Sequence, residues 1–207
     1  MKKTLYPKTK RVRVVQKSIC QLTEKLDGSN LCIFKKDGVL YFAQRNNIFS
    51  MDELEDNRGM IYKGLIAWVN DHRDYLLENL HDNAVLCGEW LGMGKLKYPE
   101  ETFDKRFYMF AKANITEDFE LKNIYYYHEL FIYPFKDQRI PDFIGVVPIV
   151  DELVCIPNKC DLDRIYARYC DRLSRDVEGI VVNYENTITK YVRMKNGKLQ
   201  DHVDYGE

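Results

Sequence analysis

Asp37-Gly38 stands between two short apolar runs, Leu31-Cys32-Ile33-Phe34 and Val39-Leu40-Tyr41-Phe42-Ala43. A two-residue Asp-Gly joint suits the left-handed backbone of a tight turn, so this stretch predicts a β-hairpin. Lys35 and Lys36 then read as the end of one strand and the start of an exposed turn. A chain committed this early to antiparallel pairing is drawn toward a sheet-rich fold.

The rest of the chain agrees. Arg11-Val12-Arg13-Val14-Val15 reads as a strand, as do residues 84–90, 107–111, 125–133, 179–184 and 188–194, with a turn at Asn196-Gly197. Between Gly59 and Leu80, the residues Ile61, Leu65, Trp68, Val69, His72, Leu76 and Leu80 recur at steps of three and four, the stripe of an amphipathic helix with Trp68 in the core. A second helix is expected from Asp161, as N-cap, to Leu173. Many strands with few interposed helices predict an α+β fold of largely antiparallel sheets with flanking helices, rather than a doubly wound sheet.

With 207 residues and no Pro/Gly/Ser-rich linker, residues 1–207 read as a single domain. Hydrophobic residues at 45% and charged residues at 30% exclude a disordered chain. The net charge of -1 hides a basic start, with Lys2, Lys3, Lys8, Lys10, Arg11 and Arg13, which suits a polyanion partner or a solvated tail equally. Six cysteines without a Cys-x-x-Cys pair, no signal peptide and no long apolar run point to a protein of the reducing cytoplasm, away from membranes. His72, His81, His128 and His202 are too dispersed for a preformed zinc site, so any metal should be a hard, oxygen-seeking ion.

One segment is not explained by folding needs. Lys25-Leu26-Asp27-Gly28-Ser29-Asn30 leads into a strand, whereas the similar Lys35-Lys36-Asp37-Gly38 joins two. A lysine attacking a nucleotide α-phosphate needs its amine, of ordinary pKa about 10.4, deprotonated by neighbouring cations or a metal. It also needs cationic clamps on the phosphates, a divalent ion for the leaving pyrophosphate and an aromatic or apolar slot for the base. Arg45, Glu89, Phe110, Glu178, Arg193 and Lys195 supply those types at expected strand ends. Alternation places Arg193 and Lys195 on one face of a strand, able to meet one phosphate.

Lys25-Leu-Asp-Gly, Arg45-Asn46, Gly88-Glu89-Trp90-Leu91-Gly92, Phe107-Tyr-Met-Phe110, Glu178-Gly-Ile-Val and Val192-Arg-Met-Lys195, in that order, resemble the six motifs of the covalent nucleotidyltransferases. That superfamily comprises ATP-dependent DNA ligases, RNA ligases and mRNA capping enzymes. The run Thr23-Glu24-Lys25-Leu26-Asp27-Gly28-Ser29-Asn30 is most similar to nick-sealing RNA ligases of the RNA ligase 2 type.

The resemblance implies an ATP-grasp-like ligase domain in which Lys25 carries AMP. The main chain at Glu24 and Leu26 would read adenine, Glu89 the ribose, and Phe110 would stack on the base. Asn30 and Arg45 would meet ribose, phosphate or hydrated metal. Glu178 would bind Mg²⁺ or Mn²⁺, and Arg193 and Lys195 the α-phosphate. The implied partner is a nucleic acid with 5′-phosphate and 3′-hydroxyl ends, RNA in preference to DNA. A DNA ligase, a GTP-using capping guanylyltransferase and a non-catalytic nucleic-acid-binding module are the alternatives.

Three departures stand out: Ala111 follows Phe110 where relatives commonly place Asp, and Arg193 replaces a frequent Lys. The sequence also ends at Glu207, twelve residues after Lys195. That leaves no room for a C-terminal OB-fold within these residues, so the expectation is either a minimal ligase or a nucleic-acid grip supplied by a protein partner, an oligomer or a missing segment. Lys95, Lys97, Lys105 and Arg106, with the basic start, read equally as a duplex-contact surface or as unrelated solvated charges.

Overall fold

The computed structural model describes residues 10–11, 20–126, 128–184, 187–195 and 198–199. In chain order the described strands are β1 (Lys10–Arg11), β2 (Cys20–Lys25), β3 (Ser29–Lys36), β4 (Val39–Gln44), β5 (Asn47–Ser50), β6 (Ala84–Trp90), β7 (Phe107–Ile115), β8 (Leu121–Tyr125), β9 (Ile144–Val146), β10 (Ile149–Leu153), β11 (Gly179–Tyr184), β12 (Thr187–Val192), β13 (Met194–Lys195) and β14 (Lys198–Leu199). The α-helices are α1 (Leu65–Asn79) and α2 (Lys159–Leu173). The α+β class and the dominance of antiparallel pairing are as the sequence predicts.

The chain forms two compact units, each assembled from separate stretches of sequence. Residues 28–93 and 100–146 build the first; 94–99 and the described parts of 8–27 and 147–207 build the second. Because the chain passes between units more than once, no linker composition marks their boundary.

In the first unit the sheet runs β5-β4-β3-β6-β7-β8, with β9 added parallel to β7. Its tightest joint is the β3–β4 hairpin, in which Lys36 pairs with Val39 and both turn residues are left-handed, Asp37 at φ 52° and Gly38 at φ 76°. Lys35 and Lys36 are not the edge of an exposed turn: both side chains are buried, Lys35 Nζ donating to the Leu77 carbonyl at 2.8 Å and Lys36 Nζ to Glu117 at 2.6 Å. One face of this sheet presents Leu31, Ile33, Leu40, Phe42, Leu86 and Trp90 to α1. The helix is shorter than its stripe suggests, starting after Gly64, whose φ of 84° ends the 3-10 and turn segment before it. With no side chain capping its N-terminus, α1 is held by burial of Leu65, Trp68, Val69 and Leu76. At about 1.5–3 kcal/mol each, these outweigh the ~1 kcal/mol a cap contributes.

The run 125–133 is not a strand. Tyr125 ends β8, a 3-10 turn spans His128–Leu130, and successive bonds from Phe131, Tyr133 and Phe135 amides to carbonyls three residues back carry Phe131 and Phe135 into the core. Aromatic content there reflects burial from a turn, not a pleat.

The second unit holds a sheet ordered β1-β12-β11-β2-β10, antiparallel except for β1 beside β12. Helix α2 packs Leu162, Ile165, Tyr166 and Tyr169 against Cys20, Leu22, Ile180, Val182 and Tyr191. Its N-cap is Asn158, not Asp161. Asn158 Oδ1 accepts from the Asp161 amide at 3.0 Å and Asp161 returns the bond to the Asn158 amide at 3.1 Å, a reciprocal box that places Asp161 one turn inside. Residues 12–15, the Asn196-Gly197 turn, His202 and the basic residues Lys2, Lys3, Lys8 and Arg13 lie outside the described residues. Among the described residues no helix is long and apolar enough to cross a membrane.

Gly179 pairs with Lys25 on one side and Val192 on the other, and a Cβ there would lie 2.1 Å from the Tyr191 carbonyl oxygen. Backbone cannot yield as a side-chain tip can. Gly179→Ala should therefore lower unfolding stability by about 1–3 kcal/mol, measured by urea denaturation; an unchanged midpoint would contradict the close packing of these three strands.

Candidate active site

The second unit carries the expected nucleophile. Lys25 ends β2 in register with Gly179, so Glu178, just before β11, reaches it: Lys25 Nζ lies 2.6 Å from Glu178 Oε2. The Glu178 main chain is also fixed, its carbonyl accepting from the amides of Arg193 and Met194 at 2.9 Å each. Burial pushes the Glu178 carboxyl above its ordinary value; Lys25 pulls it down, Asp27 pushes it up and Lys190 pulls it down, in decreasing weight. Desolvation thus outweighs the ion pair. Lys190 escaped sequence reasoning because a lysine on a strand resembles any solvated charge.

Glu24 and Lys25 part company by strand alternation. Glu24 turns to the α2 side, where its buried carboxylate takes Arg175 and Tyr169, and its amide donates to the Pro148 carbonyl at 2.9 Å. Leu26 is buried. Asp27 anchors the 94–99 segment, its Oδ2 accepting from the amides of Lys95 at 2.6 Å and Leu96 at 2.8 Å, while its own amide donates to the Tyr98 hydroxyl at 2.5 Å. That contact holds Lys95 and Lys97, both exposed, on a segment tied to the lysine motif.

The pairing of Arg193 with Lys195 on one strand face is corrected. Strand β12 stops at Val192, because Arg193 and Met194 both direct their amides to the Glu178 carbonyl. Arg193 is half-buried toward α2, with Nη1 at 3.4 Å from Asp163 and its guanidinium over the Tyr166 ring, and its buried Nε has no hydrogen-bond partner among the described residues; Lys195 is exposed on β13.

In the first unit, Asn30 on β3 lies directly opposite Glu89 on β6, and Glu89 opposite Tyr108 on β7. Alternation puts Asn30 and Glu89 on the sheet face away from the α1 core. Arg45, exposed and at φ 42°, follows β4. Tyr62 gathers this group, its hydroxyl donating to the Asn30 carbonyl at 3.1 Å. Burial pushes its phenol up, Arg45 and Ser29 pull it down, and Glu89 pushes it up. Tyr62 was invisible in the sequence, where it sits within an apparent helical stripe.

Phe110 occupies a β-bulge: Cys87 pairs with Ala111 and Gly88 with Met109, leaving Phe110 unopposed on the partner strand, half-buried. Bulges re-aim side chains beside functional sites. The same geometry accounts for Ala111. It completes a buried lateral row, Ala43, Cys32, Cys87 and Ala111, in which a carboxylate would be stranded among thiols and methyls.

Among the described residues no three His, Cys, Asp or Glu side chains gather into a metal cage. Glu178 alone, a largely buried carboxylate, fits Mg²⁺ or Mn²⁺, because a small hard ion keeps waters and takes substrate phosphate oxygens for its remaining positions.

The raised Glu178 carboxyl makes stability pH-dependent. The folded form binds a proton more tightly than the unfolded chain, so stability is lost as pH rises above the ordinary value of 4.5 through the raised one. Relative to the parent, Glu178→Gln should gain stability between pH 4 and pH 7 in chemical denaturation. A relative loss over that range would mean that the Lys25 ion pair outweighs burial.

A family model described as RNA ligase covers residues 18–196. No curated protein matches the chain in sequence. Among solved structures, an archaeal ATP-dependent RNA ligase is 16% identical with a TM-score of 0.53, over 91% of this chain and 48% of that one. A candidate ATP-dependent DNA ligase from Aquifex aeolicus is 17% identical at 0.50, over 91% and 49%. An RNA ligase of Naegleria gruberi is 19% identical at 0.48, over 86% and 50%. The chain spans about half the length of these structures. With the family model matched across nearly all of its described strands and helices, the chain belongs to the RNA ligase family.

Proposed function

We propose that residues 1–207 form the adenylyltransferase domain of an ATP-dependent polynucleotide ligase acting on RNA in preference to DNA. The observation that carries this reading is the 2.6 Å contact of Lys25 Nζ with Glu178, at neighbouring strand ends within a chain of the RNA ligase family. Lys25 Nζ forms a bond to the α-phosphorus of ATP as the bond to pyrophosphate breaks and the amine's proton passes to solvent, leaving AMP on the lysine. A 5′-phosphate oxygen of the nucleic acid then takes the AMP, releasing Lys25. A 3′-hydroxyl next attacks that 5′-phosphate, expelling AMP and closing the strand.

The chain's other residues divide the work. Glu24 and Leu26 main chain meet adenine, Phe110 stacks on it, Glu89 holds the ribose, and Asn30 and Arg45 meet ribose or phosphate. Lys195, exposed on β13, holds the α-phosphate, whereas Arg193, expected to share it, is turned toward Asp163 and Tyr166 on the α2 side, away from the Lys25 amine. Glu178 would hold Mg²⁺ or Mn²⁺, which supplies neutralising charge to the phosphates.

Lys35 is the rival nucleophile, since burial first and then Lys136 lower the proton affinity of its amine. Its amine, however, donates to the Leu77 carbonyl in a side chain only 6% exposed, with no room for a nucleotide. Incubation with labelled ATP and Mg²⁺, followed by a denaturing gel, should label the protein covalently. Lys25→Ala should abolish the label and Lys35→Ala should leave most of it per folded molecule. Label from GTP alone would remove the ligase reading, and equal sealing of nicked all-RNA and all-DNA duplexes would remove the RNA preference.

A further inference from the structure

Two ion pairs of opposite sense tie the same two chain segments. On one side Lys25 meets Glu178 at 2.6 Å; on the other, the preceding Glu24 meets Arg175, three residues before Glu178. The inner pair is bidentate, with Arg175 Nη1 donating to Glu24 Oε1 at 2.8 Å and Nη2 to Oε2 at 2.6 Å. Tyr169 adds a third bond, its hydroxyl donating to Oε2 at 2.8 Å, and burial pushes that phenol up so that it keeps its proton. The Glu24 carboxylate is wholly sealed from water.

An arginine this close to a phosphate-handling lysine would ordinarily be assigned to substrate. This one is committed elsewhere. Both Nη atoms are spent on Glu24, Nη1 also donates to the Asp176 carbonyl at 3.2 Å, and the guanidinium lies 5.6 Å from the centre of the Tyr98 ring. The Tyr98 hydroxyl receives the Asp27 amide at 2.5 Å. The guanidinium therefore braces the chain on both flanks of Lys25, through the side chain before it and the amide two residues after it. A planar fork on a carboxylate fixes direction as well as distance, which an ammonium would not.

We propose that Arg175 is a positioning residue for Lys25: acting through Glu24 and Tyr98, it sets where the amine stands relative to Glu178. This rests on the lysyl-AMP reading above. Arg175 touches no reacting atom in this scheme, so its loss should slow the chemical step and leave ATP binding nearly intact. Misplacement of a reacting group by about 1 Å is enough for a loss on the order of 100-fold.

The experiment compares Arg175→Gln, Arg175→Lys and the double variant Glu24→Gln/Arg175→Gln with the parent in single-turnover AMP transfer across an ATP series. Arg175→Gln strands a buried carboxylate and tends to unfold. The double variant removes both charges and keeps the fold testable. The expected result is a maximal rate about 10- to 100-fold lower in Arg175→Gln and in the double variant, intermediate in Arg175→Lys, with half-saturating ATP within about threefold of the parent. The parent rate in the folded double variant, or an effect confined to half-saturating ATP, overturns the proposal.

A second arm does not depend on ATP use. Competitive acetylation with trace acetic anhydride, read by mass spectrometry, compares Lys25 with exposed Lys136 in each protein. A changed Lys25-to-Lys136 ratio in the double variant supports the brace, and an unchanged ratio overturns it. If the parent forms no adduct with ATP, the ligase reading falls while this ratio still decides the role of Arg175.

Discussion

The register of β2 against β11 is the constraint on which the lysine motif depends. Glu24 opposite Ile180 and Lys25 opposite Gly179 send successive charges to opposite faces, the acid toward α2 and the base away from it. A slip of one residue would bury the lysine against Leu162 and Ile165 and expose the glutamate. Such a slip is resisted by the bidentate Arg175, because an unpaired carboxylate in that position would cost several kcal/mol. Gly179 reinforces the register by admitting only hydrogen at the closest approach of the three strands.

Electrostatics in this unit follows from burial rather than from charge count. Lys25, Glu178, Asp27 and Lys190 cancel as formal charges, yet desolvation holds the Glu178 carboxyl above its ordinary value even beside an ammonium. A carboxylate poorly solvated by water gains most from a new cationic partner, which is the property a divalent-ion ligand needs. In the first unit Tyr62 is half-buried against the α1 core, and its hydroxyl reaches the Asn30 carbonyl with Arg45 and Glu89 close enough to act on its phenol.

Much of this was legible before the fold was known. The Asp37-Gly38 hairpin, the strands at 84–90 and 179–184, and the buried stripe of α1 all follow from local rules of turn geometry and periodicity. Motif order singled out Lys25 over Lys35. The failures share a cause. The run at 125–133 is rich in aromatic residues because turns insert them into the core, and composition cannot distinguish that from a strand. Asp161 and Asn158 are both good caps, and only the reciprocal hydrogen bonds choose between them. Alternation at Arg193 and Lys195 fails where two amides turn onto one carbonyl.

Short-range information was therefore sufficient for the hairpin and the class of fold, and the order of motifs along the chain for proposing Lys25 as the reactive lysine. What holds that lysine was not accessible in the same way. Glu24 and Arg175 are separated by 151 positions and Asp27 and Tyr98 by 71, and none of the four announces a partner by spacing or composition. Their pairing exists only once β2, β11 and α2 have packed, because burial is what converts an ordinary glutamate and an ordinary arginine into a bond the chain cannot leave unmade.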